Sequence, residues 1–256
     1  MLNINNIIKI IEINFPYQDA CAWDFIGLQI KSQTKTNINK ILVCLDITND
    51  ILQQAIKNNI ELIICHHPLI FASNVNNTNI SSWKQKLYQE ILKQDINVYV
   101  LHTNFDSSVI GMNMLIAQEL EIENAFFVNQ EKMIVVGNLK TQPSIMIWID
   151  KLKRYFNVKN IQLIGDKTKI IHKVALSAGA GGDSIEKLDN DIDVLITGEM
   201  KWNHIIEAND RKMNVIIIGH YMEQKFIDFI YQFLVDNLPI KLVIMKSYFK
   251  NPTVYF

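Results

Sequence analysis

The chain has 256 residues, 49% of them apolar and 20% charged, with a formal net charge of −1. That length supports one large or two moderate domains with ample core. The balanced charge argues against broad electrostatic binding to nucleic acid or an anionic membrane.

No window approaches the ~18 apolar residues of a membrane span. Residues 1–15 include Lys9 and Glu12 and offer no small-residue cleavage site, so they make a poor secretory leader. The three cysteines form no CxxC pair, which suits a reducing, cytoplasmic setting.

Apolar runs of strand length alternate with longer amphipathic stretches. Residues 40–46 (KILVCLD) predict a strand, followed by a helix to 58 that Thr48 can cap. The next strand covers 61–65. A polar loop over 73–79 leads to a helix near 82–94, a strand at 97–101 and a helix at 111–120. The pattern then restarts. Strands are predicted at 132–139, 161–164 and 169–178, with a helix at 144–156 before the last two. Beyond the glycine-rich turn 179–182 come a short helix, a strand at 193–197 and a helix at 199–209. A strand at 214–218, a helix at 221–237 and a final strand at 241–246 complete the chain. The rhythm predicts an α/β protein with mixed, mostly parallel sheets flanked by helices. We place the boundary near 124–130. A first α/β domain then spans 1–126, completed by 238–256, and a second spans 127–237.

Four of the six histidines follow directly on strand runs: His66, His67, His102 and His220. Carboxyl ends of strands are where α/β sheets bind ligands. Adjacent strand residues point to opposite faces, so His66 and His67 cannot both serve one metal from a regular strand. Pro68 ends the strand and lets both imidazoles turn toward one cavity, or one toward a metal and the other into a loop hydrogen bond. Asp106 lies in a polar loop beyond the next strand, as a bridging carboxylate or as a cap for Ser107-Ser108. His102 reads equally as a ligand, a residue supporting a ligand, or a satisfied buried histidine. His220 and Glu223 share one helical face at a spacing of three. Three histidines and two acids form a nitrogen-and-oxygen donor set suited to Zn, Mn or Fe, and two such ions activate water for hydrolysis. Gly179, Gly181 and Gly182 either present backbone N–H groups to a phosphate or make a tight turn. Glu199 and His204 stand at another strand-to-helix turn.

These blocks, in their order, resemble the GTP cyclohydrolase 1 type 2 homolog family, the NGG-interacting-factor-three-like proteins. The residues that carry the resemblance are Ala22-Trp23-Asp24 with Gly27-Leu28, Cys44-Leu45-Asp46, His66-His67-Pro68-Leu69, and His102-Thr103-Asn104 with Asp106. Gly179-Ala180-Gly181-Gly182, Asp193 to Glu199, and Gly219-His220 with Glu223 continue it. The chain resembles the short form, without a domain inserted mid-chain. Asp24 is followed by Phe25 where the family usually has Asn. The resemblance implies a two-domain subunit with a dinuclear metal centre in the cleft between domains, and assembly as a toroidal homohexamer. By it, the metal ligands are His66, His67, Asp106, His220 and Glu223, holding two divalent ions per subunit. It implies hydrolysis of a nucleotide or other phosphorylated small molecule, with His102 or Glu199 as the acid–base group. A non-catalytic, regulatory metal-binding protein is the other reading.

Overall fold

The computed structural model describes residues 1–70, 80–239 and 241–254, so the predicted polar loop at 73–79 lies outside the described residues. The first elements are β1 (Leu2–Asn3), α1 (Ile4–Asn14), β2 (Gly27–Ile30), β3 (Asn37–Ile38), β4 (Lys40–Cys44), α2 (Asn49–Lys57), β5 (Leu62–Cys65), α3 (Ser82–Lys93) and β6 (Asn97–Val100). Next come α4 (Thr103–Asp106), α5 (Met112–Glu119), β7 (Ile122–Phe127), β8 (Val135–Leu139), α6 (Ile145–Phe156), β9 (Gln162–Ile164) and β10 (Lys173–Ser177). The last are β11 (Val194–Thr197), α7 (Trp202–Asp210), β12 (Asn214–Ile217), α8 (Lys225–Asn237) and β13 (Val243–Lys246). They divide between two compact units, Met1–Phe105 with Phe226–Lys250, and Asp106–Lys225 with residues 251–254.

In the first unit the sheet order is β13-β4-β5-β6-β2, parallel except for the antiparallel edge strand β2. Its central strands are buried along their whole length, which explains their unbroken apolar runs. One face packs Leu42, Ile63 and Val98 against Ile51, Leu52 and Ala55 of α2 and Leu87 and Ile91 of α3. Helix α2 starts where Thr48 Oγ1 accepts the Ile51 amide at 3.3 Å. Helix α1, which the sequence reading did not assign, buries Ile4, Ile7 and Ile11 at helical spacing, with Asn3 as its cap. At its end Phe15 meets Phe105 and Phe233 edge-on, at 5.2 and 5.1 Å between ring centres.

In the second unit the order is β7-β8-β10-β11-β12-β9, with parallel β10-β11-β12 at the centre and antiparallel strands at both edges. Val136, Ala175, Leu195 and Val215 pack with Ile185, Ala208 and Met213 into one core. Helix α6 begins at the Ser144 cap and ends at Asn157 in the left-handed region at φ 52°. Strands β2 and β7 were not anticipated from the sequence. Two local expectations are corrected. Asp106 closes the short helical turn α4 and does not lie in a loop, and the helix expected over 221–237 opens with a tighter 3-10 segment, His220–Gln224.

Candidate metal centre

In the first unit three histidines gather at the carboxyl ends of two neighbouring parallel strands. β5 stops at Cys65, and Pro68 has no N–H with which to continue the ladder. The amides of His66 and His67 both donate to the Leu45 carbonyl, each at 3.1 Å. Two successive amides on one carbonyl break the side-to-side alternation of a strand. The two rings therefore come within 5.0 Å of each other, centre to centre, and lie 5.0 and 5.6 Å from the ring of His102 after β6. One nitrogen from each of the three falls within a span of 4.8 Å.

Each imidazole is held at Nδ1. His66 Nδ1 lies 2.7 Å from the Leu101 carbonyl, His67 Nδ1 2.9 Å from Asp46 Oδ1, and His102 Nδ1 2.9 Å from both oxygens of Asp24. All of these partners are acceptors, so Nδ1 is the donor of each ring and Nε2 is the nitrogen on its far side. His66 is fully buried, its ring 4.9 Å from that of Phe226. Asp24 also accepts the Thr103 amide at 3.0 Å and the Thr103 hydroxyl at 2.6 Å. Burial pushes the Asp24 carboxyl up, but the bonds from His102 and Thr103 outweigh it and hold the group below its ordinary value.

In the second unit the ladder between β11 and β12 continues past the strand ends. Ile218 N–H donates to Thr197 O at 2.9 Å, Gly219 N–H to Gly198 O at 3.0 Å, and Glu199 N–H to Gly179 O at 2.8 Å. Three strand exits are thereby laced side by side. In the 3-10 segment, residues three apart eclipse, and His220 Nε2 meets Glu223 Oε2 at 2.9 Å. His220 Nδ1 meets Glu199 Oε1 at 3.1 Å, so Glu199 plays the part that Asp46 plays for His67. His204 does not join Glu199, because its Nε2 is 3.0 Å from Glu186. The glycine turn makes room for the buried Glu223. A Cβ on Gly179, whose φ is +62°, would lie 2.1 Å from Glu223 Oε1, and one on Gly198 would lie 2.5 Å from Gly179 O. Gly181 and Gly182 are equally confined, by Ser177 Oγ at 2.3 Å and Glu199 O at 2.5 Å. Packing thus gives these glycines their reason. Asp106 is buried, and its carbonyl accepts the Asn113 amide at 3.4 Å.

These donors fit a divalent cation. They are imidazole nitrogens with fixed protons and carboxylate oxygens, the set that Zn, Mn and Fe accept. Thiolates do not compete, because burial pushes the Cys44 and Cys65 thiols well above their ordinary value. Asp24 and Asp46, quoted from the sequence only as carriers of the resemblance, are the partners of His102 and His67 to which sequence reasoning gave no role. Asp46 had a readable signal, since it follows β4 as His66 follows β5.

A two-unit α/β protein with histidines and acids at its strand ends is a candidate metal-binding protein. The chain belongs to the Duf34/NIF3 (NGG1p interacting factor 3) family, which matches residues 2–252. It is 31% identical over 239 residues to a "GTP cyclohydrolase 1 type 2 homolog" of Ureaplasma parvum, covering 90% of this chain and 88% of that one. The protein of the same name from Clostridium perfringens is 30% identical over 229 residues, 86% of each chain. Among solved structures, reduced HcgD from Methanocaldococcus jannaschii superposes with a TM-score of 0.82 at 26% identity, over 96% of this chain and 97% of that one. A Bacillus cereus protein related to NIF3 superposes at 0.89 with 20% identity, over 100% and 99%, and shows the fold alone. Among the described residues no helix is long and apolar enough to cross a membrane.

Proposed function

We propose that the protein is a metal-dependent hydrolase of a nucleotide or other phosphorylated small molecule. In this reading His66, His67, Asp106, His220 and Glu223 hold two divalent ions. The observation that carries it is the proton placement: His66 and His67 each have Nδ1 against an acceptor, from Leu101 and Asp46, which makes Nε2 the nitrogen they offer a metal. Bound divalent ions would supply Lewis acidity to the substrate and to water. The protein's own part is to keep its carboxylates charged, its imidazoles oriented and a proton acceptor close by. His102 supplies that acceptor: Asp24 fixes its Nδ1 proton, and its Nε2 takes a proton from water and returns it to the leaving atom. The substrate class rests on the relatives' name, which refers to a GTP cyclohydrolase.

A second reading, a non-catalytic metal-binding or regulatory protein acting as a homohexamer, is favoured by one observation. Packing alone accounts for the glycines of the 179–182 turn, with no need of a phosphate. One experiment decides between the two. The metal-loaded protein is assayed for turnover of GTP and a panel of phosphoesters, beside Asp106→Ala and His102→Gln. Turnover that falls at least a hundredfold in both variants is expected. Turnover that survives both sinks the hydrolase reading, and no turnover at all by the loaded wild type leaves the regulatory one.

A further inference from the structure

The first unit carries a cavity of about 180 Å³ that the histidine set does not fill. It lies at the carboxyl ends of β13, β4 and β5, three parallel neighbours in the sheet. Chain order reverses there, because β5 and β6 lie on one side of β4 and β13 on the other. In open α/β sheets the crevice at such a reversal is where ligands bind.

Asp46 and Thr48 reach the cavity from the end of β4, His67 from the end of β5, Trp83 and Lys84 from the start of α3, and Phe249 from beyond β13. The placement of these groups is well supported. Ser81 Oγ caps α3 by accepting the Lys84 amide at 3.4 Å, which sets the first turn that bears Trp83 and Lys84. Beyond β13 the ladder runs on, with Ser247 N–H donating to Val43 O at 2.9 Å and Ser247 Oγ to Gln54 at 2.7 Å, two residues before Phe249. Trp83 takes no place in the core of α3, which is built from Leu87 and Ile91, and stays 46% exposed. A large aromatic left half-open beside a second aromatic, a cation and a carboxylate combines a stacking face with polar groups of both signs.

We propose that this cavity is the subsite for a planar heteroaromatic ring of the substrate. The ring packs on Trp83 and Phe249, with a donor edge toward Asp46 and an acceptor edge toward Lys84. The volume selects one ring system, because sites for whole drug-sized ligands run to about 300–1,000 Å³. The rest of the substrate then extends past His67, whose Asp46 partner is shared by the two sites. The assignment rests on the hydrolase reading for its role, but ring binding can be tested apart from turnover.

Isothermal titration calorimetry of the full chain, loaded with Zn²⁺, uses GMP, AMP and ribose 5-phosphate as probes. At least one nucleotide is expected to bind about fivefold or more tightly than ribose 5-phosphate, the weak end of base–aromatic stacking. Trp83→Ala should erase that ratio, Trp83→Phe should keep most of it, and the zinc content of both should match the wild type. A wild-type ratio below two for both nucleotides, or a ratio that persists in a Trp83→Ala/Phe249→Ala double variant, would overturn the proposal. A persistent ring preference in a protein without turnover would defeat the hydrolase reading and leave the ring subsite standing.

Discussion

In the first unit Nδ1 of His102 meets Asp24, whose side chain has no solvent exposure, whereas in the second Nδ1 of His220 meets Glu199, which is 56% exposed. Both pairs orient an imidazole, yet they do so at very different energetic stakes. A buried carboxylate that loses its partners, or leaves them orphaned, is costly, while an exposed ion pair contributes little to folding. The first unit therefore ties His102 into its stability. In the second, the Glu199 contact of His220 carries no such cost, and the tie to the interior is Glu223.

The largest expected effect comes from breaking the buried pair. Asp24→Ala strands the His102 ring, the Thr103 amide and hydroxyl, and the Phe25 amide. It should cost about 3–5 kcal/mol in urea unfolding. A loss below about 1 kcal/mol would show that the two pairs are energetically alike. Gly179→Ala should come next. Its Cβ meets the Glu223 carboxylate and its φ is left-handed, whereas Gly219, at φ +101°, has nothing within 4 Å of an added Cβ. We expect Gly179→Ala to lower metal affinity as well as stability, and Gly219→Ala to lower stability only, by about 1–2 kcal/mol of backbone strain. Metal titration of both variants checks the contrast. Glu199→Ala should change stability by less than about 1 kcal/mol, while weakening metal binding by about 10–100-fold.

The smallest effect is on pH dependence, and here the units behave alike. In the first, burial raises the Glu61 carboxyl, but the amides of Asn39 and Lys40 overcome this and hold it below its ordinary 4.5. In the second, burial raises Asp193, but Lys169 and the amides of Lys173 and His172 hold it below its ordinary 3.8. A depressed folded pKa gives stability that is complete above the ordinary value and lost as pH falls through the lowered one. Unfolding free energy measured from pH 6 to pH 2 should decline across that acid range. Glu61→Gln and Asp193→Asn should each flatten the decline, and unchanged slopes would remove these carboxylates from the account of acid unfolding.

Much of the architecture was legible because apolar runs and their caps are local signals. Thr48, Ser81 and Ser144 cap helices α2, α3 and α6, and the strand cores of β4, β5 and β6 read directly as apolar runs. The edge strands were not legible. β2 is four residues with Gly27 and Gln29 in it, and the exposed side of β7 shows Glu123 and Asn124. Pattern-reading finds buried faces, and these strands have few. The histidines stood out by their place after strand ends. Asp24 did not, because it meets His102 across 78 residues of chain. Nor could spacing reveal that the glycine turn is shaped around Glu223, a contact made by tertiary packing.

Metal content per chain tests the central claim most directly. The protein is loaded with Zn²⁺, desalted and measured by elemental mass spectrometry beside Glu223→Gln, which keeps the side-chain shape and removes the charge. Two ions per wild-type chain and one or none in the variant is the expected result. Fewer than two in the wild type, or equal content in both, would contradict a two-ion centre held by these residues.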